Sequence, residues 1–568
     1  RRSGARNLPE VLRLAPGVQV AQITKTIWAI SIRGFNARYE NKLLVQIDGR
    51  AVYTPTFGGV YWDQQQVLLE DVERIEVIRG PGATVWGANA VNGVINIVTK
   101  SSADTKGIYA YAGGGDEHRL FTAIRAGGRL GDLNWRVYGM QADDAPGYAP
   151  TPGGEWDAMQ FGQGGFRMDW TPTCRDTLTL KGDFLGQAEN VHQQTFVGFM
   201  TEPENNRSTN FLGRWSRKLD DETDWSVQMY YDNFCRLATG TFYQQQNQNT
   251  FDLDSQYHTK LGDRHDVVCG FGYRNYETLL STQGVVVSID PPRDSFDIIS
   301  YFIQDTIELR PERLFLTAGI KLEHNDFTNF EYQPTIRLLV TPDDRTSIWG
   351  AVSRAVRTPT VVERDITIPF LLQGNRNVRS EDLIAYEAGI RRQPNDRLYW
   401  DQTVFFNRYD NLIGLQPLFP SPGLVLNVGK GDTYGYELVV TYEMNPSWRL
   451  RGSYSFLVED IDYEADSGPY LSNPGASPRN QCFLHSAWDL TETTTLDMIL
   501  RYVDNLAIGV PHYLVMDVRW AWEPRDGLEF ALVGQNLFDD HHPEFVDPSL
   551  SSATEVPSGF YGMVTWKR

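Results

Sequence analysis

What most restricts the fold of this chain is a two-residue rhythm, apolar then polar, that returns many times after residue 106. Trp225, Val227, Met229 and Tyr231 alternate with Ser226, Gln228, Tyr230 and Asp232. Trp448, Leu450, Gly452, Tyr454 and Phe456 alternate with Arg449, Arg451, Ser453 and Ser455, and Leu133, Trp135 and Val137 with Asn134, Arg136 and Tyr138. A strand so built carries one apolar and one polar face. No run of 18 apolar residues exists, so transmembrane helices are excluded. A mean hydropathy of −0.39 still suits a membrane barrel, because its strands show only alternate residues to lipid. A soluble sandwich shares the alternation. The number of strands, the Trp and Tyr residues near their ends, and polar turns such as 219–223 and 341–344 favour lipid outside and water inside.

The first hundred residues follow a different rule. Val72-Glu73-Arg74-Ile75-Glu76-Val77-Ile78-Arg79 alternates apolar and charged residues, and Gly80-Pro81-Gly82 stops it. Val94-Ile95-Asn96-Ile97-Val98-Thr99 reads as a second strand, rich in branched side chains. Leu69–Lys100 is therefore a packed module and not a linker.

Together with Ile32-Arg33-Gly34-Phe35 and Leu44-Val45-Gln46-Ile47-Asp48-Gly49, this module resembles the plug domain of the TonB-dependent outer-membrane transporters, with the motifs in family order over residues 1–100. Further on, Ser353–Pro359, Tyr386-Glu387-Ala388-Gly389, Tyr434-Gly435-Tyr436-Glu437-Leu438 and Gln535-Asn536-Leu537-Phe538-Asp539 are similar to barrel segments of that family. The resemblance implies a mainly β protein: a large antiparallel transmembrane barrel of about 22 strands over residues 106–568, with an N-terminal α/β plug, residues 1–105, in its lumen. Length permits this. Residues 106–568 leave roughly 21 residues for each of 22 strands with its connection, against the 9–11 that a tilted strand needs. Twenty or 24 strands fit nearly as well, so the figure of 22 comes from the resemblance. Arg1-Arg2-Ser3-Gly4 leads into Leu8–Leu12 without a leader, so the sequence is expected to begin inside the plug, without the energy-coupling segment of its family. Family chains end on an aromatic residue; Trp566-Lys567-Arg568 suggests one further Phe. Polar, turn-rich intervals at 187–208, 280–294, 358–382, 459–478 and 539–559 are the expected extracellular loops.

Composition narrows the function. With 72 acidic against 52 basic residues, a net charge of −20, the chain is too acidic to bind nucleic acid. Cys174, Cys235, Cys269 and Cys482 lack metal-binding or redox spacing, and whether they pair is open. Nine histidines form no Ser/His/Asp arrangement, and GxSxG and HExxH are absent, so no enzyme, catalytic residue or cofactor is expected. The adjacent His541 and His542 are a poor metal site, and Asp220-Asp221-Glu222 and Asp252/Asp254 are the acidic groups to weigh for Ca²⁺. A passive porin needs no 100-residue N-terminal domain.

By resemblance, Arg33 and Arg79 of the plug meet Glu387 and Glu437 of the barrel wall. Arginine forks bind carboxylates in bidentate fashion, and such pairs hold a plug directionally while exchanging readily with water. The expected ligand surface is the plug's outward loops, with Lys25, Trp28, Arg38, Tyr39, Tyr53, Phe57, Tyr61 and Trp62. Rings and cations suit a planar, anionic ligand. A ferric siderophore is the expected ligand, with cobalamin or an oligosaccharide as the alternatives. Haem is disfavoured, because 354–382 holds no histidine of the kind haem receptors of the family carry there. The resemblance further implies a monomer in the outer membrane of a Gram-negative bacterium, among lipid and lipopolysaccharide, driven by TonB with ExbB and ExbD.

Overall fold

The structure is a computed structural model that describes residues 2–149, 156–195, 198–239, 243–283, 287–418, 421–470, 474–547 and 553–568. Its alternating segments close into one barrel of 22 long antiparallel strands, from Gly107–Gly115 to Gly559–Lys567, which pair with each other to seal the cylinder. Closure leaves no backbone edge in lipid, which is what lets a sheet cross a bilayer.

Side-chain exposure follows the rhythm. Along Thr223–Thr239, Trp225, Met229 and Tyr231 are exposed while Gln228 and Tyr230 are buried in the lumen. Ile299, Tyr301 and Ile303 point outward in the same way, with Phe302 turned inward. One end of the barrel is closed by turns of two to five residues, as at 131–132, 344–345 and 446–447, and the other carries excursions as long as 358–380 and 536–558. Short turns belong to the periplasmic end of such barrels and long loops to the outside. Trp170, Trp225, Trp488, Trp520, Trp522 and Trp566 all stand exposed within a few residues of the short-turn end, where indole rings settle at the membrane interface.

Inside the barrel sits the plug. A short helix, Leu8–Leu12, capped by the Asn7 side chain, precedes a hairpin of Val18–Gln22 and Trp28–Ile32. A four-stranded mixed sheet follows in the order Arg50–Ala51, Leu43–Ile47, Gly93–Thr99, Val72–Arg79. Leu43–Ile47 runs parallel to Gly93–Thr99, so Val45 lies beside Ile95 and Ile47 beside Ile97, all buried. These residues join Leu8, Leu12, Trp28, Ile30 and Trp62 in the plug's apolar core. Both strands anticipated between Val72 and Thr99 are present.

The interval 187–208 is not the irregular loop that its composition suggests. Asp176–Thr195 and Gly198–Lys218 continue through it in register as a hairpin that overshoots the bilayer. Water wets such a projection on its outer side, so the apolar half of the alternation disappears while the ladder persists. The interval 358–382 likewise holds a helix, Val361–Asp365, and two short strands. The four cysteines are unpaired.

Candidate functional site

The plug meets the barrel wall through apolar patches, such as Leu44, Val91 and Val94 against Leu383 and Tyr409, and through a set of buried ion pairs. At one contact Arg33, on a loop with φ +56°, reaches two strands: Nη1 donates to Glu387 Oε1 at 2.7 Å, while Nε and Nη2 grip both oxygens of Glu437 at 3.3 Å each. Arg79 Nη1 lies 3.1 Å from Glu437 Oε2, off the N–H axis, as a Coulomb partner without a hydrogen bond. All but Arg79 are nearly sealed from solvent, with side chains 2–3% exposed. The Phe405 ring backs the Arg33 guanidinium at 4.2 Å. Burial disfavours the charged form of Arg33, but Glu437 and Glu387 outweigh it and raise its pKa. The structure thus brings together the four residues that the sequence motifs single out for plug-barrel contact.

Glycine makes this contact possible at Gly80, which ends Val72–Arg79 with φ +87°. A Cβ there would overlap Glu387 Oε1 and Arg33 Nη1. Only a residue without a side chain lets the strand end against the ion cluster.

Sequence patterns give less warning of the other anchors. Asp48 takes Lys181 Nζ at 2.8 Å and Thr99 N at 2.7 Å, and these hold its carboxyl below the usual range against the opposing effect of burial. Arg13 makes a two-pronged pair with Glu544 at 2.7–2.8 Å, and Lys42 reaches Glu381 at 2.8 Å. Glu381 also binds Arg357, whose other arm holds Glu363 at 2.8 Å. Arg357 falls within Ser353–Pro359, so the motif marked the place, but its partners lie 6 and 24 residues on with no regular spacing. Glu363 completes a capping box with Thr360, and the amides of Val361 and Val362 donate to Pro55 O and Thr56 O at 3.0 Å. The loop 358–380 is thereby strapped onto the plug.

The residues expected to face the ligand divide into two groups. Trp28, Tyr53 and Trp62 are buried within the plug or against the wall, each about 5% exposed. Lys25 Nζ is bound to Glu117 at 2.6 Å. Arg38, Tyr39, Phe57 and Tyr61 instead gather half-buried at the outer end. Tyr39 stacks on Phe57 with centroids 5.0 Å apart and meets Tyr61 edge-on at 6.2 Å, and Arg38 lies 5.1 Å from the Tyr39 ring. Tyr61 donates to Gln246 at 2.8 Å and lies over Arg236 at 4.4 Å.

Between the plug strand Leu43–Ile47 and the wall from Asp224 to Phe327 lies a cavity of about 480 Å³. It extends from Arg74 and Asp224 near the short-turn end to Phe327 and Pro359 near the loops, and is lined by charges of both signs. Asp252, one of the residues weighed for Ca²⁺, is paired there with Arg274 at 2.7 Å.

A large closed barrel occluded by a folded plug that is tethered by buried ion pairs defines a plugged transmembrane receptor. The chain belongs to the TonB-dependent receptor family: residues 1–94 match the TonB-dependent receptor plug domain, and residues 96–537 match the TonB-dependent receptor-like β-barrel. It is 33% identical to the vitamin B12 transporter BtuB of Photobacterium profundum, over 94% of this chain and 86% of that protein. It is 24% identical to the ferric enterobactin receptor of Pseudomonas aeruginosa, over 80% of this chain and 71% of the relative. Among solved structures, the siderophore receptor PirA from Acinetobacter baumannii superposes with a TM-score of 0.81 at 16% identity, covering 100% of this chain and 97% of that one, a likeness of fold.

Proposed function

We propose that this receptor captures a ferric siderophore at the outer end of its plug and admits it to the periplasm of a Gram-negative bacterium, with energy delivered through TonB, ExbB and ExbD. The observation that carries the ligand reading is the cluster of Arg38, Tyr39, Phe57 and Tyr61. Ring faces reward planar groups and the guanidinium rewards negative charge, a combination met by catecholate or hydroxamate chelates. The protein's net charge of −20 opposes an anion, but screening over about 8–10 Å isolates the apex from distant carboxylates. Lys25, Trp28, Tyr53 and Trp62, expected on the same ligand surface, are instead engaged by Glu117, by the plug core and by the wall, so the proposed ligand contacts narrow to the other four.

Energy input is needed because the plug is anchored on several sides. A single pair exchanges readily with water, but displacing the plug must part the pairs on all these sides together, so thermal opening is rare. That argues for an actively driven receptor over a passive pore. Cobalamin is the second reading, favoured by the 33% identity to a vitamin B12 transporter.

Titration of the purified protein with ferric catecholate, ferric hydroxamate, cobalamin and an oligosaccharide separates these readings. Tight binding of a ferric chelate, weakened at least tenfold (about 1.4 kcal/mol) by R38A or Y39A, is expected. Tight binding of cobalamin or the sugar alone, unchanged in those variants, would overturn both substrate class and site.

A further inference from the structure

Beneath Tyr61 the wall holds an ion cluster whose charges do not balance. Glu189 and Glu204 stand directly opposite each other on the adjacent strands Asp176–Thr195 and Gly198–Lys218, both turned inward and about 4% and 6% exposed. Arg236, on the next strand, places Nη2 3.2 Å from Glu189 Oε1 and 2.5 Å from Glu204 Oε1. Its Nη1 donates to Asp63 Oδ2 of the plug at 2.8 Å. One guanidinium therefore serves three buried carboxylates.

Among the described residues, the neighbours supply hydrogen bonds, and Arg236 is the cation in ion-pair range of Glu189 and Glu204. Asn206 Nδ2 donates to Glu189 at 2.7 Å and Gln187 Nε2 to Asp63 at 3.1 Å. The strand beyond Glu189 offers Met159 opposite it, and the strand beyond Arg236 offers Gln246. From the plug, Tyr61 covers Arg236, and Arg38 lies 5.1 Å from the Tyr39 ring that meets Tyr61; Glu202, two residues from Glu204, is a further inward carboxylate. Glu189 Oε2 is buried without a hydrogen-bond partner, and the Glu189 and Glu204 carboxyl groups, on directly paired residues, both lie against the same Arg236 Nη2. Two carboxylates so close in a sealed site cannot both be ionised cheaply, and a proton on Glu189 removes the repulsion while giving its orphan oxygen an O–H to donate.

We propose that Glu189, beside Glu204, holds a proton at neutral pH, and that this proton lets Arg236 hold Asp63, making the cluster a pH-dependent latch on the plug's outer loop. With the proton in place, Arg236 faces one carboxylate of the wall pair and one of the plug. When it leaves, the wall pair carries two negative charges, draws the guanidinium to itself, and repels Asp63. The latch weakens as pH rises, whatever ligand the receptor takes.

The test uses the full chain in detergent micelles. Hydrogen exchange of the amides at 61–66, corrected for intrinsic rates, should lose protection several-fold from neutral to alkaline pH in the wild type. In E189Q it should stay high and independent of pH. Infrared spectroscopy should show a protonated carboxylic acid carbonyl at neutral pH, with one component lost in E189Q and in E204Q. D63N should lose protection at every pH while keeping that component. If E189Q fails to fold, E204Q gives the same reading. A wild-type protection that ignores pH, an unchanged pH response in E189Q or E204Q, or an infrared component that survives both variants would overturn the proposal.

Discussion

A single arginine, Arg33, shows how the plug is fixed. Its guanidinium spans two barrel strands, so removing both carboxylates in E387A/E437A leaves a buried cation without partners. The cost is about 3–5 kcal/mol for each broken pair if the site stays dry, and far less if water enters. Protection of plug amides near Arg33 should fall accordingly, measured by hydrogen exchange, while barrel amides keep theirs. Glu40 makes a second prediction at this scale. Burial raises its pKa to about 8, against the opposing pull of Lys42. A carboxyl raised in the folded state holds its proton there more tightly, so its contribution is complete below the ordinary value of 4.5 and is lost as pH climbs towards 8. The melting temperature of the plug should decline over that window, and E40Q should flatten the decline.

Among elements, the end of Val72–Arg79 and the strap 358–380 both seat the plug against the wall. Gly80 needs both its positive φ and its missing side chain. G80A should cost about 1–2 kcal/mol from backbone handedness alone, with more from displacing Arg33 and Glu387, and thermal unfolding should show it as a lowered plug transition. In the strap, T360A removes the cap of Val361–Asp365, at about 1 kcal/mol. Limited proteolysis should then cut 358–380 faster while leaving the barrel intact. The strands around these elements were legible from alternation, and the Gly80-Pro81-Gly82 stop from its residues. The strap was not, because its helix is five residues long and depends on backbone bonds to Pro55 and Thr56.

At the scale of the molecule, the lipid face is a continuous band and the lumen a polar one. Met229 is about 52% exposed and lies near the middle of the bilayer-spanning part of its strand. M229R should cost about 2–4 kcal/mol, seen as poorer barrel folding into lipid vesicles. The counterpart change S226R, on the lumen side, should leave vesicle insertion near normal.

Period-two alternation, the absence of long apolar runs and the order of the plug and barrel motifs were enough to specify a plugged barrel, because side-chain period and membrane thickness act locally along the chain. Arg33, Arg79, Glu387 and Glu437 were also legible, since each sits in a short motif. Strand extension through 187–208, the strap onto Pro55 and Thr56, and the convergence of Asp63 on Arg236, Glu189 and Glu204 were decided only by the closed barrel. Closure brings residues more than a hundred positions apart into one sealed space, and there burial, not sequence neighbourhood, determines which charges must pair.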